Sequence, residues 1–273
     1  MRTLTVGHAL FAATLIALGI LGLITRDFTV VWQPVPTSVP AREFLIYLCA
    51  LVSLASGVGL LWRRTAPAAA RLLLGYLLAW LLIFRLPGLL HSLGVDVYWA
   101  ACRTAAVASA AWVLYAWLAS GQEPRRLGFV GGVGGLRIAR ALYGMAIIPF
   151  GIAHFEYLKQ TVTLIPAWLP AHAALAYFTG GAFIAAGIAV LTGVFARLAV
   201  VLSALQMGLF LLIVWIPIVA RGQVSAFQWG ETVVTWVLAV SAWMVADSYR
   251  AAAPSTLRHP AGSLPVNGPK ATD

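Results

Sequence analysis

The stretch Ile165–Tyr177, IPAWLPAHAALAY, repeats in outline at Val35–Tyr47, VPTSVPAREFLIY. Two prolines, an alanine and a tyrosine keep their order at a separation of 130 positions: Pro36 with Pro166, Pro40 with Pro170, Ala41 with Ala171, Tyr47 with Tyr177. The register continues through Gly57 and Gly187, the LLI runs at Leu81 and Leu211, Pro87 and Pro217, and Trp99 and Trp229. Upstream, AL at Ala9 and GI at Gly19 match Ala141 and Gly151 at a separation of 132, which places a two-residue slip in the first loop. Matched leucines mean little in so apolar a chain. Matched Pro, Tyr and Trp mean more, because each has a specific backbone or interfacial role. The chain therefore reads as a tandem duplication.

Composition says what surrounds it. Of 273 residues, 62% are hydrophobic and 10% charged, where a soluble domain carries roughly 25% charged residues. The apolar runs are long and separated by short breaks, and a bilayer-spanning helix takes about 20 such residues. Eight spans are predicted: Leu4–Ile24, Phe44–Trp62, Arg71–Leu90, Val97–Leu118, Ile138–Phe155, Ala173–Leu191, Leu198–Ala220 and Phe227–Ala246. Helices are expected because lipid offers no partner to unpaired backbone groups, and the alternation of a barrel strand is missing. The first span reads as a retained helix rather than a signal peptide: LGLITRD offers no small-x-small cleavage site. The fold class expected is an all-α integral membrane protein, with eight transmembrane helices arranged as two parallel four-helix repeats.

Four spans per unit is an even number, so both units enter the membrane from the same side and are related by an axis along the membrane normal. Threading the chain through eight spans puts twelve Lys and Arg against three acidic residues on the side of the termini, and six against five on the other. An excess of Lys and Arg marks the cytoplasmic face, so both termini are expected there, in a plasma (inner) membrane. The net charge of +10 then reports topology and gives no reason to expect nucleic acid. The domains expected are a first, degenerate unit at 1–120, a flexible cytoplasmic linker at 121–136, a second unit at 137–250, and a disordered tail at 251–273, rich in Pro, Ala and small polar residues. Cys49 and Cys102 sit in different spans without a C-x-x-C spacing. They read as buried apolar thiols, with a cross-helix disulfide left open.

The region Gly151–Leu191 resembles the DoxX-like membrane proteins. It has GIAHF at Gly151, ending a helix in Gly-x-x-His-Phe, then PAWLP at Pro166 in an outward loop, then Tyr177, Gly180 and Gly187. Members of that family are commonly single four-helix units, so the resemblance implies two fused units. The first departs from the pattern: VPTSVP lacks the Trp, and Gly22 stands where the second unit has His154. The family often has a polar residue between its two helix glycines, where this chain has Phe183 and, in the first unit, Ser53. The resemblance implies a membrane subunit that docks oxidoreductase partner proteins or binds a quinone as cofactor.

The candidate ligand-binding residues are His154, Glu231, Arg103, Arg85 and Trp168. Arg85, Arg103 and Glu231 fall inside predicted spans, where ionisable groups are costly and seek a partner or a wet cavity. Glu231 aligns with Ala101, two positions before Arg103, which makes a Glu231–Arg103 pair between the units conceivable. Snorkelling to the nearer interface is the simpler alternative for each. Trp168, between two prolines that stop helices, suits the headgroup layer. Pro149 interrupts the fifth span below His154; a routine kink absorbed by neighbouring helices is the expected reading, with an outward pocket of Pro149, His154 and Glu231 as the alternative. His91, His154 and His172 share a side but no ligand spacing, and no H-E-x-x-H, Walker sequence or paired carboxylates occur. No autonomous enzyme is expected. The alternative to a redox subunit is a carrier or binder of a small amphipathic solute or lipid between the two repeats.

Overall fold

The structure is a computed structural model that describes residues 5–92, 94–118 and 130–250. The described residues form helices joined by turns, with no strand. The long helices are α1 (Val6–Thr25), α2 (Arg42–Leu61), α3 (Ala66–His91), α4 (Val95–Leu118), α5 (Gly132–Glu156), α7 (His172–Thr192), α8 (Ala196–Ala220) and α9 (Ala226–Arg250). A short helix, α6 (Leu158–Leu164), lies between α5 and α7. All eight long helices are long and apolar enough to cross a bilayer. Their outer faces carry bare apolar side chains, including Leu82, Ile83, Leu90 and Phe178, each more than 60% exposed. Lipid is the solvent that such a surface needs. By length and composition the chain is a multi-pass membrane protein.

The helices close into a ring. Each of α1 to α5 packs on the next, α5 on α7, α7 on α8 and α8 on α9; α9 returns to α1, and α4 meets α9 across the middle. Glycines set the tightest approaches. A methyl group at Gly57 of α2 would stand 2.7 Å from the Ala12 carbonyl of α1, and one at Gly187 of α7 would stand 2.7 Å from the Gly144 carbonyl of α5.

Several local devices occur twice, 130 positions apart. Ala41 and Ala171, each after a proline, adopt the left-handed conformation (φ 52° and 53°), and their carbonyls accept the first helical bonds, from Leu45 and Leu175. In α3, residues Leu81–Arg85 widen into a π-helix, as do Leu211–Trp215 in α8. Pro87 and Pro217 follow within two residues and supply the cause. A proline ring clashes with the carbonyl four residues back, and one extra residue in the turn relieves the clash. The N–H of Leu86 then bonds to the Leu81 carbonyl, and that of Ile216 to Leu211. The widened turn rotates Arg85 and Trp215 into the bundle, leaving them 4% and 6% exposed.

Two expectations need correction. The segment Gly132–Leu136, read as linker, is the start of α5: Gly135 donates to the Gly131 carbonyl at 3.0 Å. Gly135 packs directly on the Val130 carbonyl, where no larger residue fits, and Trp112 Nε1 pins that carbonyl at 3.0 Å. The linker residues 119–129 and the tail 251–273 lie outside the described residues. Helix ends also run past the predicted spans, because Arg42, Glu43, Arg137, Asp247 and Arg250 lie within helices rather than bounding them. Cys49 and Cys102 are free thiols, and Cys49 Sγ lies 3.4 Å from the Tyr76 hydroxyl.

Candidate functional site

The site residues fall into two groups. The first gathers around the loop between α1 and α2. Phe28 to Trp32 are all buried, so this segment enters the bundle instead of lying over it. A buried loop carries backbone carbonyls that need donors, and Arg85 supplies them. Its Nη1 donates to the Pro34 carbonyl (2.6 Å), and its Nη2 to those of Trp32 (2.6 Å) and Gln33 (2.7 Å). Thr104 of α4 donates to the Val31 carbonyl at 3.0 Å and accepts from Arg85 Nε at 3.4 Å. The planar fork of an arginine suits several acceptors at once. Arg85 therefore does not snorkel: its charge is held inside by oxygen dipoles.

Close by, Arg103 Nη1 of α4 stands 3.9 Å from Glu231 Oε1 of α9. The pair raised from the repeat register is present, at a separation too long for a direct hydrogen bond. Both side chains are about four-fifths covered (18% and 19% exposed), and Arg103 Nε has no hydrogen-bond partner among the described residues. Beside them lies a cavity of about 10 Å³ walled by Val30, Val31, Val107, Val234, Val237 and Leu238. It has room for about one water.

The second group surrounds His154 on α5. Its Nδ1 lies 2.7 Å from the Phe150 carbonyl. A carbonyl only accepts, so Nδ1 carries the proton and the neutral ring presents Nε2 as an acceptor. The imidazole stacks on Phe210 of α8 (5.9 Å, 27°) and tilts against Phe183 of α7 (5.6 Å). Gln206 Nε2 donates to the Thr179 carbonyl at 3.0 Å, tying α8 to α7 at the same level.

Subtracting 130 from these neighbours leads back to the first group. Phe183 and Phe210 correspond to Ser53 and Trp80, and these are the residues that Trp32 touches. Its Nε1 donates to Ser53 Oγ at 3.3 Å, and its ring meets Trp80 edge-on at 5.3 Å. Thr179 and Gln206 correspond to Cys49 and Tyr76, which also touch each other. Trp32 and His154 thus fill corresponding places by different chain routes, one from a loop and one from a helix. At Gly22, which stands where the later register has His154, a methyl group would lie 3.1 Å from Ala50 Cβ and 3.4 Å from Thr29 of the buried loop, so the space beside this glycine is already lined by α2 and that loop.

Pro149 lies inside α5, and no hydrogen bond or ion pair links His154 to Glu231 among the described residues. Trp168 joins neither group; it is 71% exposed on the turn between Pro166 and Pro170. Among the described residues no three His, Cys, Asp or Glu side chains gather at one place. Sequence reasoning missed the buried loop, although the apolar run FTVVW at Phe28 was its signal. Comparisons with family models, with characterised proteins and with solved structures gave no match to this chain.

Proposed function

We propose that the protein is a DoxX-like membrane subunit made of two parallel four-helix repeats, and that its second repeat binds the ring of a quinone-class ligand at His154. Both termini lie on the cytoplasmic side of a plasma membrane, and an oxidoreductase is the docking partner. The paired π-helices and paired left-handed alanines support the duplication. The charge asymmetry supports the orientation.

One observation carries the ligand reading. The first repeat fills its bundle with its own indole, Trp32, whereas no residue of α6, in the loop after α5, is fully buried. At the corresponding place the second repeat has the His154 imidazole against Phe183 and Phe210 instead of a loop indole. Phe183 and Phe210 flank the His154 imidazole there, and with Nδ1 bonded to the Phe150 carbonyl the Nε2 of the neutral ring accepts a hydrogen bond from a quinol hydroxyl. The alternative, a carrier of an amphipathic solute or lipid between the repeats, has less support: the cavity at the Arg103–Glu231 junction is about 10 Å³.

Native mass spectrometry of the detergent-purified protein, with extraction of lipids and quinones, tests the reading. A ring-bearing isoprenoid retained by the wild type and lost from His154→Phe, at unchanged thermal stability, supports it. An empty wild type, or equal retention by both proteins, contradicts it.

A further inference from the structure

At the opposite end of the bundle, the turn between α7 and α8 and the last turn of α9 enclose an open cleft of about 660 Å³. Its walls are of two kinds. Arg197, Tyr249 and Arg250 bring two cationic groups and a phenol, and Phe195, Leu198 and Val201 bring apolar surface. Arg197 is exposed and has no hydrogen-bond or ion-pair partner among the described residues. Arg250 Nη1 stands 3.4 Å from Asp247 Oδ1, and its side chain is still 57% exposed. The Tyr249 wall is built rather than loose. Arg140 lies over its ring at 3.9 Å and is itself anchored by Nε to Ser248 Oγ (2.9 Å) and by Nη2 to the Ser248 carbonyl (2.7 Å). The Tyr249 hydroxyl makes no hydrogen bond to a described residue, which leaves its proton for a ligand. Phe195 is 78% exposed and Leu198 54%, an arrangement that wastes apolar surface unless a hydrocarbon covers it.

We propose that this cleft binds one anionic phospholipid. The phosphate lies between Arg197 and Arg250 and accepts from the Tyr249 hydroxyl, while the acyl chains run over Phe195, Leu198 and Val201. A free phosphate ion matches the guanidinium groups but leaves the apolar wall uncovered. A zwitterionic headgroup brings its own cation into a place that already has two. The side of the bundle agrees: these residues lie at the basic end, where anionic lipid gathers.

The test uses the full chain, delipidated in neutral detergent and titrated with phosphatidylglycerol or phosphatidylcholine, with bound lipid counted by native mass spectrometry. One tightly held phosphatidylglycerol per chain is expected, with phosphatidylcholine at least tenfold weaker. Arg197→Gln breaks no contact among the described residues and lowers retention about fivefold. Phe195→Ser lowers it as well, without changing the charge. Arg64→Gln, at the corresponding turn between α2 and α3, leaves it unchanged. Equal loss from Arg64→Gln and Arg197→Gln overturns the proposal in favour of a diffuse basic surface. Indifference to Phe195→Ser, with full displacement by millimolar inorganic phosphate, overturns it in favour of a simple anion site. Loss of lipid here leaves the His154 reading untouched, because the two places lie at opposite ends of the bundle.

Discussion

Arg85 Nη2 donates to the main-chain carbonyl of Trp32 at 2.6 Å, joining the π-helix of α3 to a loop 53 positions earlier. This bond and its two neighbours let a loop enter an apolar bundle. Without the guanidinium, the Gln33 and Pro34 carbonyls lose this donor and the buried Trp32 carbonyl keeps only Trp80 Nε1 at 3.2 Å; a buried polar group left short of a partner costs about 1–3 kcal/mol.

Arg85→Met is therefore expected to lower stability by about 1–3 kcal/mol, read as an earlier midpoint on titration with a denaturing detergent. Arg85→Lys is expected to fall between Met and wild type, because an ammonium reaches fewer of the carbonyls than a planar fork. Equal stability of all three proteins contradicts the role given to Arg85.

The glycine contacts give a paired prediction. Gly57→Val and Gly187→Val put side chains against backbone carbonyls of α1 and α5 that cannot move aside, a cost of about 1–3 kcal/mol each. Gly75→Ala and Gly208→Ala meet nothing within 4 Å. They are expected to be neutral or to stabilise by about 0.5–1 kcal/mol, as glycine is replaced by a better helix former. Thermal unfolding of the four variants checks both halves of the statement.

How much was legible follows from the same residues. The eight spans were readable because an unbroken apolar run has one reading in lipid. Their ends were not, since Arg42, Arg137 and Arg250 lie inside helices and long cationic side chains tolerate that position. The Arg103–Glu231 pair was readable because the repeat register set Glu231 beside Arg103. Arg85 was flagged as an ionisable group at depth, but its partners are main-chain carbonyls, which a string of residue names does not display. The exchange of Gly22 for His154 was visible, whereas the buried loop that packs beside Gly22 at Thr29 needed three dimensions.

The Arg103–Glu231 pair predicts a coupling. With both side chains about one-fifth exposed and 3.9 Å apart, a double-mutant cycle with Arg103→Gln and Glu231→Gln is expected to give about 1 kcal/mol. Either single variant is expected to cost more than the double, because each leaves a lone charge at the junction of α4 and α9. Additive losses contradict the pairing.

The parallel arrangement of two four-helix copies is the central claim, and labelling of single cysteines with a membrane-impermeant thiol reagent tests it most directly. In a background with Cys49 and Cys102 replaced by alanine, cysteines placed at Thr65, Gly131 and Gly193 are expected to react from one face of sealed vesicles. Cysteines at Ser92, Thr163 and Gly222 are expected to react from the other. Reaction of Gly131 from the same face as Ser92 and Gly222 contradicts the arrangement, because the second quartet of helices then enters the membrane from the wrong side.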